Sequence, residues 1–275
     1  MASLGVALVT GAGGGIGRAI ALRLAKDGFD IALNDVHVSL PKIEAVRQEV
    51  SKFGRKASVL TANVAHEKEV SKMVDQAVQD LGGLDVMVAN AGILRADGIL
   101  DASNESWDQH LEVNAKGVLF CFKYGAQQMI TQGRGGRLLA AASTSGMQGN
   151  LGLISYSASK FAVRGIVHAA AQELAPYSIT ANGYAPGPID TNMMAQVVEA
   201  SANPGGEQEE QFRTIPLRRY GSPDEVAGLV SYLASRDASF ITGRYSFNGI
   251  RELMVEFIYD CLGQTVSING GRILT

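Results

Sequence analysis

Three side chains in the second half of the chain have the types and spacing of a carbonyl–alcohol redox site. Tyr156 and Lys160 stand four residues apart in the run Y-S-A-S-K, and Ser143 lies thirteen residues upstream. Residues four apart share one face of a helix, so the cation is expected to lower the phenol's pKa from about 10 and make Tyr156 a general acid or base. A nearby serine hydroxyl would donate to a carbonyl oxygen as that oxygen gains charge. Such a site requires a hydride carrier.

A site for the carrier is indicated near the N-terminus. The apolar, β-prone residues 4–10 predict a buried parallel strand, which leads into T-G-A-G-G-G-I-G and an amphipathic helix over about residues 16–26. Gly11, Gly15 and Gly17 would let the backbone approach a pyrophosphate, and the helix N-terminus beginning at Ile16 supplies N–H groups.

The predicted cofactor is NAD(H). A second apolar strand over residues 30–34 ends at Asp35, eighteen residues past Gly17. A carboxylate at this point accepts both hydroxyls of an adenosine ribose and would repel a 2′-phosphate. No lysine or arginine lies at positions 13–15 or 36–38 to bind such a phosphate.

The chain resembles the short-chain dehydrogenase/reductase family from residue 6 to residue 271, and the resemblance rests on five motifs. They are T-G-x-x-x-G-x-G at 10–17, N-A-G at 90–92, H-L-E-V-N ending at Asn114, the Ser–Tyr–Lys set, and N-G-Y-A-P-G-P-I-D-T at 182–191. The resemblance implies a catalytic tetrad of Asn114, Ser143, Tyr156 and Lys160. In it, Asn114 would hold a water in a proton relay, and Lys160 would also hold the nicotinamide ribose.

The resemblance also implies the remaining cofactor contacts. Asn90, Ala91 and Gly92 would brace the central sheet and lie against the cofactor. Pro186, Gly187, the backbone of Ile189 and the hydroxyl of Thr191 would hold the nicotinamide carboxamide. Where the family has Asp-Val after the third strand, this chain has Asn63 and Val64, and the Asn63 oxygen can still accept from the adenine amino group.

A second departure from the family pattern lies near the C-terminus. Residues 244–263 separate I-T-G from the final Q-T-V-S-I-N-G-G, and removing these twenty residues leaves 255 residues, an ordinary family length. Apolar residues at helical spacing from 250 to 262 predict a short amphipathic helix. The insert could cap the substrate entrance or a subunit contact, be neutral loop length, or be a translated intron, and the intron is our leading hypothesis.

The chain as a whole predicts one α/β domain over residues 1–275. Strand-like runs end near residues 10, 34, 61, 89, 142, 185 and 268, and most are separated by helical patterns. This alternation predicts a Rossmann-type, doubly wound parallel sheet of about seven strands, for which the family implies the order 3-2-1-4-5-6-7. The weakly patterned residues 192–214 are the candidate for a mobile substrate lid.

Composition excludes several classes of function. A net charge of −3 with dispersed basic residues disfavours nucleic-acid binding, and no apolar run approaches the roughly twenty residues that span a membrane. The two cysteines predict buried thiols rather than a disulfide framework. The four histidines, including His110, are scattered and predict surface or packing roles rather than a metal site. We therefore expect a reduced, soluble, cytoplasmic protein without metal, and the family implies a homotetramer or homodimer.

The substrate is predicted from the stretch around Tyr156. It resembles the diacetyl/acetoin reductase (2,3-butanediol dehydrogenase) branch, and small apolar Ala142 and Leu151 with Asn150 suit a short hydroxyketone or diketone, held by Ser143, Asn150 and Tyr156. Polyol dehydrogenases and 3-oxoacyl-carrier-protein reductases share much of the pattern, although the latter generally prefer NADPH. A non-catalytic cofactor-binding protein, disabled by the insert, is the alternative from another class.

Overall fold

The protein is built around six parallel strands in the order β3-β2-β1-β4-β5-β6. The computed structural model describes residues 2–199, 206, 212–213, 215–246 and 266–268. Each strand is a short run of largely apolar or small residues, and most are buried on both faces, as expected of a parallel sheet between helical layers. The strands are β1 Val6–Thr10, β2 Asp30–Asp35, β3 Ala57–Thr61, β4 Val86–Ala89, β5 Gly136–Ala141 and β6 Ile179–Pro186.

Helices cover both faces of the sheet, as the sequence pattern predicts. The cores on the two faces are separate: one contains side chains of α3, α5 and α6, and the other contains side chains of α1, α2 and α8. The helices are α1 Gly15–Asp27, α2 Leu40–Ser51, α3 Glu67–Leu81, α4 Asn104–His110, α5 Gly117–Gln132, α6 Ile154–Leu174, α7 Asn192–Glu199 and α8 Pro223–Ala234. None of the helices in these described ranges has the length and apolar character needed to cross a bilayer.

The strand order reverses between β1 and β4. Ala7, Leu8 and Val9 of β1 pair with β4 on one side, while the whole of β1 pairs with β2 on the other. Chain connections leave the sheet in opposite directions at such a point, and this opens a crevice beyond the carboxyl ends of the strands. The candidate site lies in this crevice.

A widened helical turn joins α4 to α5. Residues Leu111–Lys116 form a π-helical turn that contains Asn114, and the helix continues through it without a break. Such turns occur most often at functional sites.

The region predicted to be a substrate lid begins as a helix. The first eight of its residues form α7 and the sequence pattern did not indicate this. Most of residues 200–214 lie outside the described part of the chain.

Two short segments pair with β6 beyond the six-stranded core. β7 (Tyr245–Ser246) places Tyr245 opposite Gly183, and β8 (Val266–Ile268) places Val266 opposite Tyr184. Neighbouring positions on β6 are therefore paired with residues 245 and 266, whereas a continuous strand would pair them with 245 and 246. The offset is twenty residues, the length of the predicted insert, while the predicted helix over 250–262 lies outside the described residues.

We expect deletion of residues 244–263, which removes β7, to leave one continuous strand in which the residue before Val266 takes the place of Tyr245 opposite Gly183. Val266 would stay opposite Tyr184, and the closure entropy of a twenty-residue loop, about 2–3 kcal/mol, would no longer oppose folding. Thermal unfolding should then occur several degrees higher than in the full chain.

The matched control is a deletion of 21 residues, 244–264. It shifts the strand by one position and turns its side chains to the opposite face of the sheet, so we expect a lower melting temperature than for the 20-residue deletion. Equal melting temperatures for the two deletions would contradict the interpretation that residues 244–263 interrupt a single strand without changing its register.

Candidate active site

Ser143, Tyr156 and Lys160 lie together at the carboxyl end of β5. Ser143 caps a short 3-10 turn two residues after the strand, and Tyr156 is the third residue of α6, with Lys160 one turn later. All three residues are buried, with 4 to 9% of their surface exposed. The spacing of four residues has placed the phenol and the ammonium on the same helix face, as predicted.

The Tyr156 phenol is in a desolvated position. Burial raises its pKa above the ordinary value, and a hydrogen bond with the Ser143 side chain acts in the opposite direction. The sequence analysis expected a pKa below the ordinary value, and this expectation is wrong. The loss of hydration, which disfavours the phenolate, outweighs the hydrogen bond from Ser143, which favours it.

The Lys160 ammonium lies between the end of β5 and the Tyr156 ring. Its Nζ donates a hydrogen bond to the Ala141 carbonyl oxygen at 2.8 Å and lies 5.6 Å from the centre of the Tyr156 ring. Burial lowers the pKa of the ammonium to about 8. Burial thus favours the neutral form of both the lysine and the tyrosine.

Asn114 braces the site from the π-helical turn. Its Oδ1 accepts from Ile93 N at 2.8 Å, and its Nδ2 donates to Ile93 O and to Ser159 Oγ, each at 3.0 Å. A Cβ placed on Gly92 would lie 3.1 Å from Asn114 Oδ1 and 3.5 Å from Lys160 Nζ, so these two side chains converge. Both N–H groups of the amide are therefore used by the scaffold, while Oδ1 keeps one lone pair for a further donor.

The glycine loop has the geometry of a phosphate site. Helix α1 begins at Gly15, so the N–H groups of its first turn have no intrahelical partner. Gly11 has φ +66°, and a methyl group on Gly17 would collide with the Gly11 carbonyl oxygen. The close turn therefore requires glycine at both positions and leaves the helix end open to an anion.

Asp35 ends β2 beside this loop. Its Oδ2 accepts from Gly13 N at 3.0 Å and its Oδ1 accepts from Val36 N at 2.8 Å. Lys42 of α2 lines the same cavity, and a Cβ on Gly13 would lie 3.4 Å from the Lys42 Cβ. Lys42 lies in α2, outside positions 13–15 and 36–38, where the sequence pattern predicts the basic residues that would bind a 2′-phosphate.

Asn63 and Asn90 extend the site along the strand ends. Asn63 Oδ1 accepts from Ala65 N at 3.0 Å, which leaves one of its lone pairs for another donor. Asn90 Nδ2 donates to Thr10 O at 3.0 Å, and its Oδ1 accepts from Tyr184 Oη at 3.0 Å. Asn90 therefore ties β4 to β1 and β6, as its motif predicts.

A single cavity of about 1000 Å³ brings the predicted site together. Apart from Asn114, every residue predicted to bind cofactor or substrate lines it. These residues are Gly11, Gly15, Ile16, Gly17, Asp35, Asn63, Val64, Asn90, Ala91, Gly92, Ser143, Asn150, Tyr156, Lys160, Pro186, Gly187, Ile189 and Thr191. The volume is large enough for a dinucleotide together with a small substrate.

The side chains of residues 94, 151, 153 and 193 give part of the cavity a mainly apolar lining. Leu94, Leu153 and Met193 line it, together with Leu151, which is fully exposed. Asn150 also lines it, but its Nδ2 donates to Ser145 Oγ at 2.6 Å. That bond ties Asn150 to Ser145 and leaves the side-chain oxygen Oδ1 of Asn150 for another donor.

Sequence reasoning missed a buried polar cluster beside Tyr156. It consists of Asp97, Ser106 and His110, and the His110 ring packs edge-on against the Tyr156 ring with centroids 6.3 Å apart. His110 is completely buried, in keeping with the packing role predicted for it. The spacing of four between His110 and Asn114 could have signalled a shared helix face.

Fold and site together define a Rossmann-like α/β protein with a parallel sheet and a buried Ser–Tyr–Lys set. A family model described as short chain dehydrogenase matches residues 5–202. The chain belongs to this family of oxidoreductases. Among the residues that the structure describes, no group of histidine, cysteine, aspartate and glutamate is arranged to hold a metal ion.

Curated relatives and solved structures agree with this assignment. A short-chain dehydrogenase/reductase of Armillaria gallica is 45% identical over 240 residues, covering 87% of this chain and 92% of that protein. The 3-oxoacyl-[acyl-carrier-protein] reductase FabG of Staphylococcus aureus is 38% identical over 269 residues, 98% of each chain. The crystal structure of acetoin dehydrogenase YohF from Salmonella typhimurium matches with a TM-score of 0.80 at 30% identity, covering 99% of this chain and 96% of that one.

The lowered pKa of Lys160 predicts a pH dependence of stability. The folded lysine titrates near 8 and an unfolded lysine near about 10.4, so between these values the unfolded chain binds more protons. The unfolding free energy attributable to this group should therefore rise as pH increases from 8 to 10, by an amount on the order of 2–3 kcal/mol.

Urea unfolding of wild type and Lys160→Met across pH 7 to 10 measures this rise. We expect the difference between the two proteins to change with pH, whereas the exposed Lys52→Met should follow wild type. Parallel curves for wild type and Lys160→Met would contradict a desolvated ammonium.

Proposed function

We propose that the protein is an NAD(H)-dependent oxidoreductase that interconverts a small ketone or hydroxyketone and its alcohol. The observation that carries the proposal is the single cavity shared by the Ser143–Tyr156–Lys160 set, the glycine loop and Asp35. NAD(H) would supply or accept the hydride when bound. A hydride site next to a tyrosine that can give or take a proton is the requirement for this reaction class.

In the reducing direction, Ser143, Tyr156 and Lys160 each have a separate role. Ser143 donates a hydrogen bond to the substrate carbonyl oxygen, and Tyr156 transfers its phenolic proton to the same oxygen as negative charge develops there. The alcohol is released and the tyrosine is reprotonated from solvent through Lys160. In oxidation each proton moves the opposite way.

Lys160 is suited to this relay by its environment. An ammonium whose pKa is about 8 exchanges protons readily near neutral pH, and it lies on the same helix face as the phenol. Asn114 supports the arrangement by holding Ile93 and Ser159, the latter one position before Lys160.

The preference for NAD(H) is supported by Asp35. Both of its oxygens accept from backbone N–H groups at the edge of the cavity, which fixes the carboxylate there, and a carboxylate beside the glycine loop would repel a 2′-phosphate. Lys42 lines the same region and would moderate the repulsion. We expect a preference for NADH rather than a complete exclusion of NADPH.

A short hydroxyketone or diketone, such as acetoin or diacetyl, is the proposed substrate. Small Ala142 and apolar Leu151 and Leu153 line the cavity, and the solved relative from Salmonella typhimurium is titled an acetoin dehydrogenase. A second candidate is a 3-oxoacyl reductase, favoured by the 38% identity to Staphylococcus aureus FabG. Asp35 disfavours that candidate, because reductases of that kind generally prefer NADPH, whose 2′-phosphate a carboxylate repels.

A homo-oligomer is proposed from the exposed faces of α5 and α6. Leu119 and Phe161 expose 47% and 43% of their surfaces, and Ile130 exposes 38%. Large apolar side chains on neighbouring helices favour an interface between copies of the chain.

A non-catalytic protein disabled by residues 244–263 is the competing proposal. The assembled Ser–Tyr–Lys set argues against it, because cofactor binding alone does not require all three groups. If the segment is a translated intron, comparison of genomic and messenger sequences will show transcripts that lack it, and consistent retention of these codons would refute that origin.

Tyr156→Phe should abolish most turnover while leaving cofactor binding nearly intact. The change removes only the transferable proton, a contribution of about 10²–10⁴-fold to the rate. Oxidation of NADH with diacetyl or acetoin measures turnover, and fluorescence titration measures NADH binding. The exposed Tyr177→Phe is the matched control and should behave as wild type; retained turnover in Tyr156→Phe would refute the assigned role.

Asp35→Asn should raise the NADPH-to-NADH ratio of kcat/KM by about tenfold or more, which corresponds to about 1.4 kcal/mol. The amide has nearly the same size and still accepts from one backbone N–H group, but it does not repel a phosphate. The comparison with wild type uses one carbonyl substrate and both cofactors. An unchanged ratio would show that Asp35 does not determine cofactor choice.

A further inference from the structure

A buried carboxylate lies outside the predicted site, in the segment between β4 and α4. Asp97 is only 8% exposed and is not used in the mechanism proposed above. Burial of a carboxylate is costly unless hydrogen bonds compensate for lost hydration. The groups that donate hydrogen bonds to Asp97 therefore indicate the role of this buried carboxylate.

The first set of partners belongs to the start of α6. Asp97 N donates to Gly152 O at 2.8 Å, and Asp97 O accepts from Ile154 N at 3.1 Å. The carboxylate oxygen Oδ1 accepts from Ser155 N at 3.2 Å. The residue before α6, Leu153, has no side chain that could cap the helix, so Asp97 satisfies the first two N–H groups from another segment.

The second set of partners leads to the Tyr156 ring. Asp97 Oδ2 accepts from Ser106 Oγ at 2.7 Å, and the Ser106 carbonyl oxygen lies 2.7 Å from His110 Nδ1. Arg95 N donates to His110 Nε2 at 3.1 Å, which assigns the ring proton to Nδ1. The oriented His110 ring then packs against Tyr156 at 75° to its plane.

We infer that Asp97 is a positioning residue for Tyr156, holding it by its backbone through the start of α6 and by its ring through Ser106 and His110. This inference rests on the proposed function, because it assigns to Asp97 the placement of the proposed proton donor. Burial raises the pKa of Asp97, but hydrogen bonds from Ser155 and Ser106 outweigh it, and the net pKa lies below the ordinary value. The carboxylate is thus charged at neutral pH, as a cap at a helix N-terminus favours.

The consequence for catalysis follows from the position of Tyr156 in the helix. It directly follows Ser155, whose N–H group Asp97 holds, and it is still within the first turn, where helices fray most easily. Lys160 is anchored separately by its bond to Ala141 O. Loss of Asp97 would therefore displace Tyr156 relative to Lys160 and Ser143, and a displacement of about 1 Å can cost about 100-fold in rate.

The test compares Asp97→Ala and Asp97→Asn with wild type. We expect kcat to fall about tenfold to 100-fold in Asp97→Ala and by less in Asp97→Asn, which keeps one acceptor for Ser155 N. NADH affinity should remain within about twofold of wild type, because Ser155 and Ser106, which donate hydrogen bonds to the Asp97 carboxylate, do not line the cavity. Unchanged kcat in a folded Asp97→Ala protein overturns the inference.

Asp85→Ala is the matched control for stability. Asp85 also accepts from a backbone N–H group, that of Val6 at 2.8 Å, and it pairs with Arg134, but it lies at the opposite end of the sheet. Its removal should lower the melting temperature by a similar amount and leave kcat unchanged. An equal loss of kcat in Asp85→Ala would mean that general destabilisation explains both, and would overturn the positioning role.

A readout independent of turnover separates this inference from the proposed function. The phenol titration of Tyr156 is obtained as the ultraviolet difference between each protein and its Tyr156→Phe derivative. In Asp97→Ala it should move from its raised value toward about 10, as a loosened ring becomes hydrated. An unmoved titration overturns the inference even if the wild type reduces no carbonyl compound, a result that would refute only the proposed function.

Ser106→Ala provides a second variant if Asp97→Ala does not fold. It removes the donor to Oδ2 and keeps the bond from Ser155 N. The titration of Tyr156 should then move in the same direction by a smaller amount, and no movement overturns the route through His110.

Discussion

The parallel arrangement of the six strands is the constraint on which the site depends. Parallel strands bring their carboxyl ends to one edge of the sheet, and the reversal of order between β1 and β4 opens a crevice there. The glycine loop follows β1, Asn90 follows β4 and Ser143 follows β5 closely. Residues far apart in sequence therefore face one cavity because each follows the end of a strand.

Burial is the second physical effect that shapes the site. Removal from water raises the pKa of Tyr156 and lowers that of Lys160, so the two groups that would exchange a proton are both shifted toward their neutral forms. The proton donor is thereby kept protonated until a substrate oxygen gains charge. The same burial makes placement critical, and the contacts of Asp97, His110 and Asn114 fix the helix segments that carry these groups.

Local patterns were sufficient to predict most of this arrangement. The order of strand, glycine run and helix predicted the close turn before α1, and the spacing of four between Tyr156 and Lys160 predicted a shared helix face, because both depend only on neighbouring residues. The direction of the Tyr156 pKa could not be predicted this way, since it depends on packing around α6. Lys42 and Asp97 were not predicted for the same reason. Lys42 lies beside Gly13, and Asp97 accepts a hydrogen bond from Ser155, and both of these neighbours belong to other elements.

The sharpest test of the proposed reaction is the transfer of deuterium from labelled NADH to the alcohol product. Wild-type protein is incubated with diacetyl or acetoin and with NADH that carries deuterium on one face or the other of C4, and the alcohol is analysed by mass spectrometry. We predict that one of the two labelled cofactors gives an alcohol heavier by one mass unit, and that Tyr156→Phe gives almost none. An unlabelled alcohol with both cofactors, or equal product from Tyr156→Phe, would contradict it.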